Sequence, residues 1–353
     1  MSDEPPDGIL VSQSLRALIA AGGITAEHPV RPEQIQPSSL DLRLGGRLWQ
    51  LQCSFLPGDA GIEAKLDRLA TAAHRLDPDT PIVLHRGGVY LAELEEGLAL
   101  PAGVRGRGNP KSSTGRLDVF VRLLTEHGKA FDTVPDGYQG RLWLEITPQS
   151  FHVALRRADT LGQLRLARGR PGDDAPDPVM LSVDLAGDHG GPVGYVARRH
   201  MPPIDLAQRG LPVDRYWTAM PPAERDGHVL EPEQFYIFAT RERLRIPPEL
   251  CAELVPFDAT KGELRTHYAG FIDAGFGWDA ARDSPGAKLV LEIRTHDVPF
   301  LLEHGQPLFR MEFMRNETLP DRLYGQSGSN YQMQGLKLAK QFDRSDSVRR
   351  RDS

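Results

Sequence analysis

Cysteine is scarce in this chain: two residues, Cys53 and Cys251, among 353. That excludes a disulfide framework and a cysteine-rich zinc site, and it fits a reducing compartment. No run of 18 apolar residues occurs, so the sequence offers no membrane-spanning helix. The N-terminal MSDEPPDGIL is acidic and lacks the basic-then-apolar pattern of a secretion signal. Together these absences imply a cytoplasmic protein. Excess basic charge is missing too: 42 Lys and Arg stand against 48 Asp and Glu, a net charge of −6. Bulk nucleic-acid binding is therefore not expected.

Glycine and proline, by contrast, are abundant. The 35 Gly and 29 Pro make about 18% of the chain against a usual ~12%, which implies many turns and short strands. At roughly 150 residues per domain, the length implies two domains. Residues 12–22 (SQSLRALIAAG) read as a short helix, capped by Ser12 or Ser14 and stopped by Gly22. From 38 to 166 short alternating stretches (LDLRLGGRLW, PIVLHRGGVYLAEL, GRLDVFVRLL, GRLWLEI, FHVAL, GQLRL) read as strands of a sandwich or barrel. A Gly-, Pro- and Asp-rich stretch then reads as a linker, and a second β-rich region follows to about 315. The chain ends in RSDSVRRRDS, a composition that implies a disordered tail.

The sequence also repeats itself. VLHRGGVYLAELEEGLALPAGVRGRGNP (83–110) lies over VLEPEQFYIFATRERLRIPPELCAELVP (229–256), with Tyr90 and Tyr236, Pro101 and Pro247, and Pro110 and Pro256 in one register (236 − 90 = 146). LWLEI (142–146) lies over LVLEI (289–293) one residue further on (292 − 145 = 147), and apolar positions keep matching to Leu164 and Met311. Shared alternation between two unrelated β domains is the bland alternative. Two turn prolines in one register and an LxLEI string one residue further on favour duplication, so both halves should share a fold.

Four stretches carry candidate chemistry. In NPKSSTGR (109–116), adjacent hydroxyls between Lys111 and Arg116 make a dense set of anion donors; alone, it also reads as a polar hairpin turn. It lacks the GxxxxGK pattern of a nucleotide-binding P-loop. Glu145 and Glu292 stand mid-strand, facing opposite to their apolar neighbours. Each is either a solvated surface carboxylate or, over a pocket, an acid/base group raised by desolvation. YAGFIDAGFGW (268–278) fits a tight hairpin approaching a flat ligand, with Asp273 suited to a ribose hydroxyl, or else a plain glycine-rich hairpin. SGSNYQMQG (327–335) is a polar segment able to close over a ligand, or an ordinary flexible tail.

Taken in order, IQPSSLDLRLGGRLW (35–49), PKSSTGR (110–116), AGFIDAGFGW (269–278), the LxLEI strands and SNYQMQG (329–335) resemble the dCTP deaminase branch of the dUTPase-like superfamily. Each motif alone is weak or moderate; their ordered conjunction is specific, and it covers most of the chain. The chain is about twice the single-domain length and resembles a tandem form. The resemblance implies a mainly β fold, two tandem dUTPase-like distorted β-barrel or jelly-roll domains with a few short helices. The divisions expected are 1–170 for the first copy, 171–194 for the linker, 195–320 for the second copy, and 321–353 for a lid and tail.

Carried over by position, the resemblance gives Ser112, Ser113 and Arg116 to the triphosphate, the catalytic water and the amino group, with Lys111 where the family usually has Arg. Ala269 through Asp273 would frame base and sugar, with Ala274 in place of Pro. The strand Glu would be general base and acid. Tyr331 and Gln334 would close over the phosphates, but Asn330 stands where the family has Lys. The first copy keeps the phosphate motif but has FDTVPDGYQG (131–140) in place of the hairpin. The second keeps the hairpin but has DATKGELR (258–265) in place of Ser-Ser. In this superfamily one copy's phosphate motif meets its neighbour's hairpin and Glu. A composite site is therefore expected, with Glu292 as the catalytic carboxylate and Glu145 as a relic or part of a degraded second site.

The implied reaction is hydrolysis of the 4-amino group of dCTP to dUTP and ammonia, feeding dUMP and dTTP synthesis. Zinc deaminases carry H-x-E and P-C-x-x-C; neither is present, so zinc-free chemistry is expected, with Mg2+ only as the triphosphate's companion. A dUTP diphosphatase or a bifunctional enzyme forming dUMP is the nearest rival, and a non-catalytic nucleotide-binding regulator is another. The expected partners are dCTP, dUTP, dTTP as a candidate inhibitor, and further copies of the chain in a homo-oligomer, because a three-fold arrangement needs three copies.

Overall fold

The alternation along LDLRLGGRLWQL makes Leu40–Leu51 a long strand that pairs at its start with Thr160–Arg168 and further on with Val89–Ala99. In this computed structural model the described residues are 6–188, 190–256, 264–265, 270–279, 285–295, 297–326 and 331–342. Leu40–Leu51 is central to a ten-stranded sheet that bends into a nearly closed barrel. Its main path runs Val119–Thr125, Gln139–Pro148, Val89–Ala99, Leu40–Leu51, Thr160–Arg168, Val104–Pro110 and Thr133–Val134.

The second copy repeats this plan at the expected offset. Val104–Pro110 matches Leu250–Pro256, Val153–Leu155 matches Phe300–Leu302, and Thr160–Arg168 matches Pro307–Arg315. One tertiary hydrogen bond is duplicated as well. The His85 N–H donates to the Tyr90 hydroxyl at 3.0 Å, and the Glu231 N–H donates to the Tyr236 hydroxyl at 2.7 Å. Glu145 pairs across the sheet with Leu91, and Glu292 with Ile237. The two carboxylates therefore hold equivalent places in equivalent sheets. The chain is two tandem copies of one mainly β fold.

The copies differ where the first has one long strand. In the second, Val179–Ser182 pairs with Pro307–Arg315 and Gly194–Ala197 pairs with Phe235–Ala239. Part of the stretch read as linker is thus sheet. Ile204–Asp205 then pairs in parallel with Val153–Leu155 of the first copy. Apolar burial supplies the cohesion: one core runs from Leu40, Leu42 and Leu144 across the seam to Trp217, Phe235, Val290 and Phe342. A second core fills the far copy around Phe238, Leu291 and Met311.

Local details depart from the sequence reading. The first helix is Ser12–Ala20, its N-cap is Val11 without a side-chain cap, and the Ser12 hydroxyl donates to Asp321 instead. Gly22, at φ 78°, ends that helix in a conformation glycine adopts without steric cost. A helix at Gly61–Leu69 lies inside the region read as strands; Ile62 and Leu66, four apart, bury one face against Leu91, Leu124 and Trp143.

Candidate active site

At the seam between the copies lies a cavity of about 410 Å3. The first copy lines it with Lys111, Ser112, Ser113 and Arg116, the second with Phe271, Asp273 and Glu292, and the C-terminal segment with Tyr331 and Gln334. Both halves of the composite site belong to one chain.

Ser112–Gly115 is a single helical turn following Val104–Pro110, not a hairpin. The Lys111 N–H and the Thr114 hydroxyl both donate to the Leu161 carbonyl, at 2.8 and 2.9 Å, and fix the turn to the neighbouring strand. The Ser113 and Tyr331 hydroxyls are 2.9 Å apart. The Arg116 guanidinium lies 3.9 Å from the centre of the Tyr331 ring and donates to Gln334 Oε1 at 3.1 Å and the Lys337 carbonyl at 2.9 Å. Its Nε–H is buried and has no hydrogen-bond partner among the described residues. Gln334 also meets the second copy: its amide donates to the Lys288 carbonyl at 3.1 Å, and its own carbonyl accepts from the Lys288 N–H at 2.9 Å. The Lys111 ammonium is engaged by the Asp41 carboxylate and the Thr160 hydroxyl.

On the opposite wall, Phe271–Ile272 pairs with Ala252 and Glu253 rather than folding back as a self-paired hairpin. A turn follows, and there Gly277 has φ 62°, with a Cβ on it meeting the Leu244 carbonyl oxygen at 2.1 Å. Asp273 accepts from Arg165 at 2.9 Å and from the Ser39 hydroxyl at 3.1 Å, both groups of the first copy. A carboxylate has about four lone-pair sites, so it retains capacity toward a ligand. Glu292 is 7% exposed. Burial pushes its carboxyl up to about 8, partly opposed by the Arg116 guanidinium across the seam.

Glu145 does not line the cavity. It lies 3% exposed in the first copy, accepts from the Ser54 hydroxyl at 3.0 Å, and has its other oxygen buried with no hydrogen-bond partner among the described residues. Burial raises its pKa, while Ser54 and Arg122 oppose the rise. Segment 52–69, with its helix, packs Phe55, Ile62 and Leu66 over this part of the sheet. Ala269 and Asn330 lie outside the described residues.

Beneath the cavity a buried ion pair joins the copies. Arg294, two residues beyond Glu292 on the same strand face, donates to Asp118, two residues beyond Arg116. Asp118 holds a left-handed backbone at φ 54° and also accepts from Ser150 at 2.6 Å. Sequence reasoning missed this pair, as it missed Asp41, Arg165 and Lys340. Asp41 and its neighbours did have a signal, since they sit within IQPSSLDLRLGG. Among the described residues, no three His, Cys, Asp or Glu side chains are grouped to hold a metal.

Known proteins resemble this chain in sequence and in fold. Residues 6–170 match the family model "2'-deoxycytidine 5'-triphosphate deaminase (DCD) N-terminal domain", and residues 155–342 match that of the C-terminal domain. A "dCTP deaminase, dUMP-forming" of Acidothermus cellulolyticus is 33% identical over 163 residues, covering 45% of this chain and 80% of the relative. A "dCTP deaminase" of Shewanella oneidensis is 30% identical over 154 residues, covering 42% and 77%. The crystal structure of 2'-deoxycytidine 5'-triphosphate deaminase from Agrobacterium tumefaciens superposes with a TM-score of 0.82 at 38% identity, covering 90% of this chain and 100% of that one.

Proposed function

The chain belongs to the 2'-deoxycytidine 5'-triphosphate deaminase family, and we propose that it hydrolyses the 4-amino group of dCTP at the larger cavity between its copies, with Glu292 as general base and acid. The observation that carries this reading is the meeting of Ser112, Ser113 and Arg116 with Asp273 and Glu292 in one cavity. As water attacks C4 of the cytosine ring, Glu292 takes one of its protons and N3 gains one, giving a tetrahedral C4; the remaining hydroxyl proton then passes to the amino nitrogen, the C4–N bond breaks, and ammonia leaves as the C4 carbonyl of dUTP forms. A carboxyl raised toward neutrality serves both directions of that transfer. Ser112 and Arg116 orient water and phosphate, and Asp273 holds the sugar. Phe271 forms part of the wall on the base side.

Mg2+ would enter with the triphosphate and supply charge neutralisation. Asp41 and Asp273 are engaged by Lys111 and Arg165, so phosphate oxygens rather than a protein cage would hold it. The proposed chemistry needs no zinc. Onward hydrolysis to dUMP is a second reading, favoured by the dUMP-forming names of relatives that match 39–45% of this chain. The structure matched over 90% of the chain bears the plain deaminase name, and dUTP is taken as the product.

The test is ammonia release from dCTP with Mg2+, with and without a zinc chelator, and anion-exchange separation of products for wild type, Glu292→Gln and Glu145→Gln. Wild type and Glu145→Gln should yield dUTP and ammonia, and Glu292→Gln should not. Activity lost only in Glu145→Gln, or lost to zinc chelation, would refute the assignment; dUMP with pyrophosphate would select the second reading.

A further inference from the structure

Beside the main cavity lies a smaller one of about 220 Å3. Arg31, Ser113, Thr160 and Lys340 line both, whereas Arg209 and Asp159 line only the smaller. Glu292, Asp273 and Phe271 do not reach it. Ser113 and Lys340 therefore stand where the two cavities meet, with Arg209 in the cavity that Glu292 does not reach.

Lys340 is not part of a loose tail. The Leu211 N–H donates to the Gln341 carbonyl at 2.9 Å, and the Gln341 side-chain amide donates to the Leu206 carbonyl at 3.1 Å. Phe342 packs edge-on against Tyr216 and Trp217, with ring centres 5.6 and 5.7 Å apart. The backbone on the far side of Lys340 is thus pinned to segment 204–217, and Leu338 and Ala339 are buried on the near side. Fixed in this way, the Lys340 ammonium forms no hydrogen bond or ion pair with any described residue. Burial and the neighbouring Lys111 and Arg209 push its pKa down to about 8, while Asp41 and Asp159 oppose the fall. Asp41 is engaged by Lys111, and Asp159 accepts from the Arg156 N–H at 2.7 Å. Arg209 spends Nη1 on the Leu206 and Gln208 carbonyls, and Arg31 spends Nη2 on the Ala158 carbonyl. Arg31 Nε also lies 3.7 Å from the Glu33 carboxylate, whereas the rest of the Arg209 guanidinium and the whole Lys340 ammonium stay available. A fixed, half-buried ammonium with no direct partner, flanked by Lys111 and Arg209, favours an anionic ligand.

We propose that Lys340 and Arg209 form a subsite for the terminal phosphate of the nucleotide, and that this subsite makes the chain select nucleoside triphosphate over diphosphate. The inference rests on the proposed nucleotide site and deepens it: Ser112, Ser113 and Arg116 take the inner phosphates, and the subsite adds the length check.

The experiment compares kcat/KM for dCTP and dCDP in wild type, Lys340→Met and Lys340→Arg of the full chain. It is accompanied by calorimetric binding of inorganic tripolyphosphate and pyrophosphate. A lost charge-assisted hydrogen bond corresponds to roughly a tenfold to hundredfold change. Lys340→Met should lose that factor on dCTP, with a loss on dCDP at least tenfold smaller, and Lys340→Arg should keep most of the discrimination. Tripolyphosphate binding should weaken in Lys340→Met and pyrophosphate binding should not. Equal losses on dCTP and dCDP, no loss on either, or a wild type that does not discriminate them would overturn the proposal. If no nucleotide is deaminated, the functional reading falls, while the tripolyphosphate arm still decides the subsite.

Discussion

Replacing Glu292 with glutamine should make the protein more stable at alkaline pH while removing its chemistry. Glu292 is 7% exposed, and its pKa stands at about 8 against an ordinary 4.5. The folded state therefore keeps a proton that the unfolded state releases from about pH 4.5 upward. Stability contributed by this group is full below pH 4.5 and falls as pH rises, until the folded carboxyl has ionised above about pH 8. The interval of 8 − 4.5 = 3.5 pH units, at about 1.36 kcal/mol per unit, corresponds to a loss on the order of 4–5 kcal/mol. Glutamine has the same shape and no charge, so Glu292→Gln should escape that loss. Urea unfolding followed by tryptophan fluorescence at pH 5 and pH 9 measures it. The two proteins should differ little at pH 5, and the variant should be several kcal/mol more stable at pH 9. Removing the acid/base group should lower kcat by about 10²–10⁴-fold. Equal pH dependence of stability in the two proteins would refute a desolvated Glu292. A variant that retains kcat would refute its role.

Two further substitutions probe the seam and its turn. Breaking the buried Asp118–Arg294 pair on one side, as in Arg294→Met, leaves a buried charge uncompensated and should cost about 3–5 kcal/mol. The double variant Asp118→Asn/Arg294→Met should recover part of that, and a double-mutant cycle in urea reads the coupling. Additive effects would mean the pair does not join the copies energetically. Gly277→Ala combines φ 62° with a Cβ only 2.1 Å from the Leu244 carbonyl oxygen, so the turn after Asp273 must shift. A loss on the order of 1–3 kcal/mol is expected, with KM for dCTP raised, and unchanged stability would show the turn to be tolerant.

Much of the fold was readable because its signals are local. Alternation marked the strands of the first copy, and paired prolines with the LxLEI strings set the register that the duplicated Tyr90 and Tyr236 hydrogen bonds reproduce. The helix Gly61–Leu69 escaped notice because nine residues carry only a short 3.6-residue period, embedded among strand-like stretches. The partial strand character of 171–194 was hidden by its Gly and Pro content, since Val179–Ser182 is defined by its pairing with Pro307–Arg315.

The same division holds at the site. The sequence by itself determined the duplication and the family, and it singled out the residues that the fold gathers around one cavity, because each is written in a short run of residue types with a required spacing. The complementary motifs of the two copies favoured Glu292 over Glu145, although both carboxylates sit in matching LxLEI strings at equivalent sheet positions. What the tertiary structure alone decided is their surroundings: Ser54, Phe55 and the helix behind them cover Glu145, whereas Glu292 lines the seam cavity together with Arg116. Lys340 and the Asp118–Arg294 pair were equally out of reach. Each meets its neighbours across more than a hundred residues of chain, and contacts at that separation impose no period, turn or motif on the sequence around them.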